Sequence, residues 1–264
     1  MKTVNRNAGF TLVELLVVIG ILGILSAALY PAITSAVQSA QMTAVGARGK
    51  DIYVAIVASN TEREPLGLGN IWPRTQAPSG AGGGAGGGQQ DIADKAFSTA
   101  VEYFKYLYDE EQRSNAQQWA PFAVGFDYSK LAGAGVKTPP SGKLEADYCM
   151  WCIGANIRDE FEDIIPILVT RNVNCNNLAT TYQGQSATKV GLGTNPGNAE
   201  YDSPFGSKAF VMIQKGGGIH KATGRYATLN VIYKGQQFDL SIGASQDGAF
   251  QYLTPKSKAT PTGS

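Results

Sequence analysis

Histidine and cysteine are nearly missing: one histidine, His220, and three cysteines, Cys149, Cys152 and Cys175, stand among 264 residues. That leaves little material for a histidine-rich metal site or a His-dependent catalytic triad, and no cofactor motif takes their place. Charge is scarce too, since Asp, Glu, Lys and Arg make up 16% of the chain, against ~25% in ordinary soluble domains. The net charge of +1 lacks the strong basic bias of nucleic-acid binders, so no nucleic-acid partner is indicated. These shortages weigh against an enzyme, because no motif supplies the convergent polar groups that catalysis requires. Glycine, at 32 residues, is well above the usual ~7% and points to extended loops.

The least charged stretch lies at the start. Residues 1–9, MKTVNRNAG, are short, polar and basic, and from Leu15 to Ala47 no side chain is charged, which is a membrane signal. The densest apolar run, Phe10 to Ile33, would measure about 36 Å as a helix, enough to cross a ~30 Å hydrocarbon core. Glu14 alone breaks the pattern. Beyond Pro31 the sequence continues as a more polar helix: Val45, Ile52 and Ile56 fall within roughly 40° of one another, with Lys50 off that face. The helix is expected over residues 10–60, as one rod of roughly 75 Å, with 10–33 as the anchor.

Residues 61–254 read as a globular head. It begins with a loop that contains the low-complexity run SGAGGGAGGGQQ, so residues 78–90 are expected to be a flexible insertion. Asp91 is placed to cap a surface helix, since Ala93, Phe97, Ala100, Val101, Phe104, Leu107 and Tyr108 recur at three- and four-residue steps. A loop-rich stretch with Trp119, Pro121, Pro139 and Pro140 then leads to the runs DYCMWCI, IPILVT, AFVMIQ, ATLNVIY and FDLSI, which read as strands. Helices first and strands afterwards predict an α+β domain with an antiparallel sheet. Residues 255–264 are expected to be a disordered tail.

The run Gly9-Phe10-Thr11-Leu12-Val13-Glu14, with Lys2 and Arg6 before it and an apolar helix after it, resembles the processing site of type IV pilins and type II secretion pseudopilins. The resemblance covers about residues 1–35. It implies a pilin-like fold, in which the long N-terminal helix packs on the antiparallel sheet. It also implies that a prepilin peptidase cuts after Gly9, removing residues 1–9 as a leader, and methylates the new amine of Phe10. Glu14 and Pro31 fall at the family's matching positions, the charged residue and the proline of the anchor helix. Physics supports the likeness, because a carboxylate in an apolar helix is costly to insert and implies a partner. A mature amine on Phe10 supplies one, which makes Phe10 and Glu14 the expected filament-assembly residues. Gly20, Gly23 and Pro31 weaken the anchor helix, and the stretch Gly23 to Pro31 sits where related filaments locally unwind. An ordinary secretory signal, cut after Ser26-Ala27-Ala28, would explain neither Glu14 nor the continuing helix.

Three further features carry candidate chemistry. Cys149-Met-Trp-Cys152 has CxxC spacing but lacks a second such pair or nearby histidines, so a structural disulfide between Cys175 and either Cys149 or Cys152 is expected in an oxidising compartment. Lys215-Gly-Gly-Gly-Ile-His220-Lys221 lacks the order of a phosphate loop and reads as a hairpin turn. Asp239 and Asp247, with the carbonyls of GASQDG, are weak calcium candidates without a recognisable loop spacing, so no metal and no cofactor is expected.

The resemblance thus implies a structural subunit without catalysis, stored in the bacterial inner membrane and then assembled into an extracellular pilus for adhesion, motility or DNA uptake. A periplasmic pseudopilus of type II secretion is the alternative. The partners implied are copies of itself, prepilin peptidase, the inner-membrane assembly platform with its ATPase, and membrane lipid before assembly. A secreted or anchored enzyme is the rival class.

Overall fold

A computed structural model describes residues 11–76, 92–108, 122, 144–179, 181–184, 188–193, 204–240 and 248–256. The chain divides into two compact units, Met1–Gln41 and Met42–Ser264. The Gly-rich run 78–90, Asp91, the prolines at 121, 139 and 140 and most of the tail lie outside the described residues.

Helix α1, Leu12–Arg63, crosses the boundary between the units. Its first part is the described portion of the first unit, where every residue from Thr11 to Ile33 is exposed. The helix passes through Pro31 without a break. Proline has no N–H to give the preceding turn. The turn that follows is reinforced by hydroxyls, with Thr34 Oγ1 donating to Pro31 O (3.0 Å) and Ser35 Oγ to Ala32 O (2.9 Å). The helix stops at Glu64–Leu66, a 3₁₀ turn closed by Gly67 at φ 66°, a left-handed position that favours glycine.

In the second unit α1 buries Met42, Val45, Gly46, Gly49, Ile52 and Ile56, a stripe at steps of three and four. The two glycines let the helix backbone sit against the sheet. A Cβ on Gly46 would stand 2.9 Å from Ile219 Cγ2.

The sheet has five antiparallel strands in the order β4-β3-β2-β1-β5. They are β1 Trp151–Ala155, β2 Pro166–Thr170, β3 Ala209–Gln214, β4 Ile219–Thr223 and β5 Gln251–Leu253. The first four form a meander, and β5 returns to the free edge of β1, with Gly154 opposite Tyr252. Strands β1, β2 and β3 are buried throughout, because both faces are covered. Trp151, Ile153, Leu168, Val211, Ile213 and Leu253 join the core shared with α1 and with α2, Ala100–Leu107. Cys152, Ile167, Val169, Phe210, Met212 and Tyr252 face a second core, closed by loops and by α3, Leu229–Ile232. The result is α+β, a helical layer and an irregular layer on opposite faces of one antiparallel sheet.

Several elements differ from the sequence expectation. The helix expected after Asp91 is confined to Ala100–Leu107, because Thr99 takes the capping position and accepts from the Glu102 N–H (3.1 Å); Ile92–Asp94 is only a 3₁₀ turn. ATLNVIY is not a strand: Thr228 caps the four-residue α3 by accepting from the Val231 N–H. FDLSI contributes one isolated bridge, Phe238 to Tyr182, before the described residues end at Leu240. In their place stand the two edge strands, β4, which carries polar residues to solvent, and β5, which is only three residues long.

Candidate functional site

The first described residues make a reciprocal cap. The Thr11 N–H donates to Glu14 Oε2 (2.9 Å), the Thr11 hydroxyl donates to the same oxygen (2.7 Å), and the Glu14 N–H donates to Thr11 Oγ1 (3.3 Å). This is the T-x-x-E capping box, which satisfies amide donors that the first helical turn cannot pair internally. Both bonds received by the carboxylate fall on Oε2. Among the described residues nothing bonds to Oε1.

Below the cap the side chains are large, apolar and uncovered. Leu12 is 85% exposed and Ile24 73%, and the exposed set runs on through Leu16, Ile19, Leu25 and Ile33. Among the described residues α1 is the one helix long and apolar enough to cross a membrane. Gly20 and Gly23 have nothing within 4 Å of where a Cβ would stand, so packing within the chain does not call for glycine at either position. At Gly46 and Gly49 it does.

The start of the chain also carries a recognisable signature, since residues 4–30 match the model of the prokaryotic N-terminal methylation motif. The chain carries a prepilin-type signal. It is the class III signal of type IV pilins and pseudopilins; it supports a pilin- or pseudopilin-like precursor and implies processing by prepilin peptidase and self-assembly. A long N-terminal apolar helix together with a five-stranded antiparallel sheet is an α+β architecture consistent with the pilin fold. An apolar helix behind such a signal also fits membrane anchoring before assembly, and the motif points to a structural subunit. The chain matches no curated protein and no solved structure.

The remaining candidates fall as follows. Gly9 and Phe10 lie outside the described residues, as does Asp247. Asp239 accepts from the Thr181 hydroxyl (3.1 Å), and no group of three or more possible metal ligands occurs among the described residues. Lys215-Gly-Gly-Gly turns the chain between β3 and β4, as expected of a hairpin, and it also docks on α1. Lys50 Nζ donates to Gly217 O (2.7 Å) and the Tyr53 hydroxyl to Lys215 O (2.9 Å). Cys149, Cys152 and Cys175 are all buried. Cys149 lies in the core on the α1 face, Cys152 and Cys175 in the core on the other face.

Sequence reading noted Thr11 within the motif but gave it no role, although the T-x-x-E spacing carries the signal. It also passed over Gly46, Gly49 and Tyr53 and placed Lys50 only off the apolar face; the G-x-x-G step on a helix was the one hint of a close approach.

Proposed function

We propose that the chain is a pilin, a structural subunit that polymerises through its N-terminal helix into a type IV pilus-like filament. A prepilin peptidase removes residues 1–9, cutting between Gly9 and Phe10, and the new amine is methylated. Residues 10–33 anchor the stored subunit in the inner membrane and afterwards line the filament core, while the head faces outward. An assembly platform and its ATPase drive the transfer.

The observation that carries this reading is a capped carboxylate at the start of a helix whose apolar first part, Thr11 to Ile33, is exposed throughout. Such a surface is at rest only in lipid or against other apolar helices. Among the described residues Oε2 alone holds the cap and nothing bonds to Glu14 Oε1, so a cationic amine on Phe10, of the same or a neighbouring subunit, has an acceptor. Gly20, Gly23 and Pro31 are then points of local give as lipid neighbours are exchanged for protein neighbours. The large head with its Gly-rich insertion favours a surface pilus over a short periplasmic pseudopilus. A secretory cut after Ala28 would fall inside unbroken helix.

Mass spectrometry of the mature N-terminus tests the reading. N-methylated Phe10 supports it, and a chain beginning at Leu29 replaces it with an exported enzyme or binding protein. Recovery in sheared surface filaments supports the pilus, whereas a wholly periplasmic protein needed for secretion of other proteins supports the pseudopilus.

A further inference from the structure

Cys152 sits in β1 with its side chain on the face away from α1, and Cys175 stands in the turn that follows β2, on the same face. Both are fully buried in that core, close enough for the two thiols to interact, and Cys175 Sγ–H donates to Val173 O (3.5 Å). The hydroxyls beside them are engaged elsewhere: Tyr233 donates to Leu178 O (2.9 Å) and Tyr252 to Pro166 O (2.6 Å). Cys149 is on the other side of the sheet, where its thiol donates to Trp151 O (3.6 Å). It is fully buried there, in the core that neither of the other two cysteines enters.

We infer that Cys152 and Cys175 are joined by a disulfide in the exported protein, and that Cys149 remains a thiol. The pairing rests on the export of the head proposed above, because a reducing cytoplasm would keep both thiols. Formation is thiol–disulfide exchange with a disulfide-bearing oxidoreductase on the outer side of the membrane. One cysteine thiolate attacks that disulfide, and the second then displaces the oxidoreductase from the mixed disulfide. The products are one protein disulfide and two oxidoreductase thiols, with both electrons passed to the oxidoreductase. All three sulfurs are fully buried, so the exchange precedes closure of the second core. Once folded, the bond is shielded from reductant until the domain opens. It ties β1 to the turn after β2 across the face that α1 does not cover.

Full-length protein from the membrane or filament fraction should be denatured in alkylating agent without reductant, digested, and mapped, with the mature N-terminus read from the same digest. The expected result is a Cys152–Cys175 linked peptide and alkylated Cys149. In the Cys149→Ala variant the link should persist, and in Cys152→Ala the other two cysteines should be alkylated. Reduction under denaturing conditions before refolding should lower Tm by roughly 5–10 °C, whereas reductant added to the folded protein should leave the link in place. A link that uses Cys149, or three alkylated cysteines in chains that begin at Phe10, would overturn the pairing alone. Three alkylated cysteines in chains that retain residues 1–9 would overturn the pairing and the export on which it rests.

Discussion

Gly49 faces Trp151 so closely that a Cβ on the glycine would stand 2.7 Å from the indole Cη2 and 2.9 Å from Ile213 Cγ1. Trp151 is fully buried in β1, and a packed indole cannot swing aside as an exposed side chain would. The first prediction is therefore that Gly49→Ala destabilises the head by roughly 1–3 kcal/mol through overpacking. Alanine's better helix propensity, about 1 kcal/mol, offsets only part of this. Thermal melts of full-length protein in detergent should fall by a few degrees, while Gly20→Ala, where nothing lies within 4 Å, should leave the head's melt unchanged. Equal melts for Gly49→Ala and wild type would mean that the helix stands off the sheet.

A second prediction concerns the hairpin turn on α1. Gly217 has φ 76°, and a Cβ there would meet Lys50 Nζ at 2.5 Å and Tyr53 Cε1 at 2.7 Å. Left-handed backbone alone costs a non-glycine residue about 1–2 kcal/mol, and displacing Lys50 would break its bond to Gly217 O. Gly217→Ala should thus destabilise more than Lys50→Met, which loses the hydrogen bond but keeps the turn geometry. Urea midpoints of the two variants decide the order; the reverse order would place the turn's importance in the lysine and not in the backbone.

These contacts mark where sequence reading stops. The motif from Gly9 to Glu14, the apolar run and the buried stripe Val45, Ile52, Ile56 declare themselves because membrane insertion and helical periodicity act locally. The strands β1, β2 and β3 are equally visible as short, mainly apolar runs. Strand β4 is not, because an edge strand such as Ile219–Thr223 can place Lys221 and Thr223 in solvent and still complete a ladder. Nor is it visible that Thr228 caps a helical turn in ATLNVIY, since one hydroxyl bond outweighs β propensity only when the surrounding core already fixes the backbone. The partner of Cys175 depends on which sheet face each cysteine occupies. That alternation is set by the register Cys152 to Val169, which no local pattern prints.

The third prediction is a pH effect. His220 on β4 is half-buried near the Phe210 ring; burial, and secondarily the charge of Lys234, hold its pKa below the ordinary value. The folded state therefore favours neutral imidazole. Its contribution is fully present above the unfolded value of about 6.5 and is lost as pH falls from there through the lower folded value. His220→Gln should flatten the part of the stability profile between pH 7.5 and pH 5 that carboxylates do not set. The wild type's urea midpoint should fall relative to the variant's as pH falls; a constant difference across that range would show that the imidazole is as free to charge in the fold as in the unfolded chain.

The last prediction separates two roles of Glu14, helix cap and charge. In the structure its carboxylate closes the capping box with Thr11, and in the proposed filament the same group meets the amine of Phe10. Glutamine can make the cap, since the box accepts Gln as well as Glu, but it brings no charge. Valine brings neither. If the charge governs assembly, Glu14→Gln and Glu14→Val should both be cleaved after Gly9 and inserted in the membrane, because each makes the helix easier to insert, and both should be nearly absent from filaments. Thr11→Val loses the hydroxyl's part in the box while keeping the carboxylate, so it should assemble close to wild type. N-methylation preserves the positive charge of the amine, so methylated and unmethylated chains should follow the same rule. An amine without an anion in a dry helix bundle is a buried, uncompensated charge. The pair, though partly offset by desolvation, selects the stagger that brings each Phe10 to a Glu14 more than it adds net stability. The measurement compares mature protein in the membrane fraction with protein in sheared filaments for the four chains at equal expression. Wild-type filament yield from Glu14→Gln, with loss in Glu14→Val and Thr11→Val, would assign the residue to the cap alone and remove the ion pair from assembly.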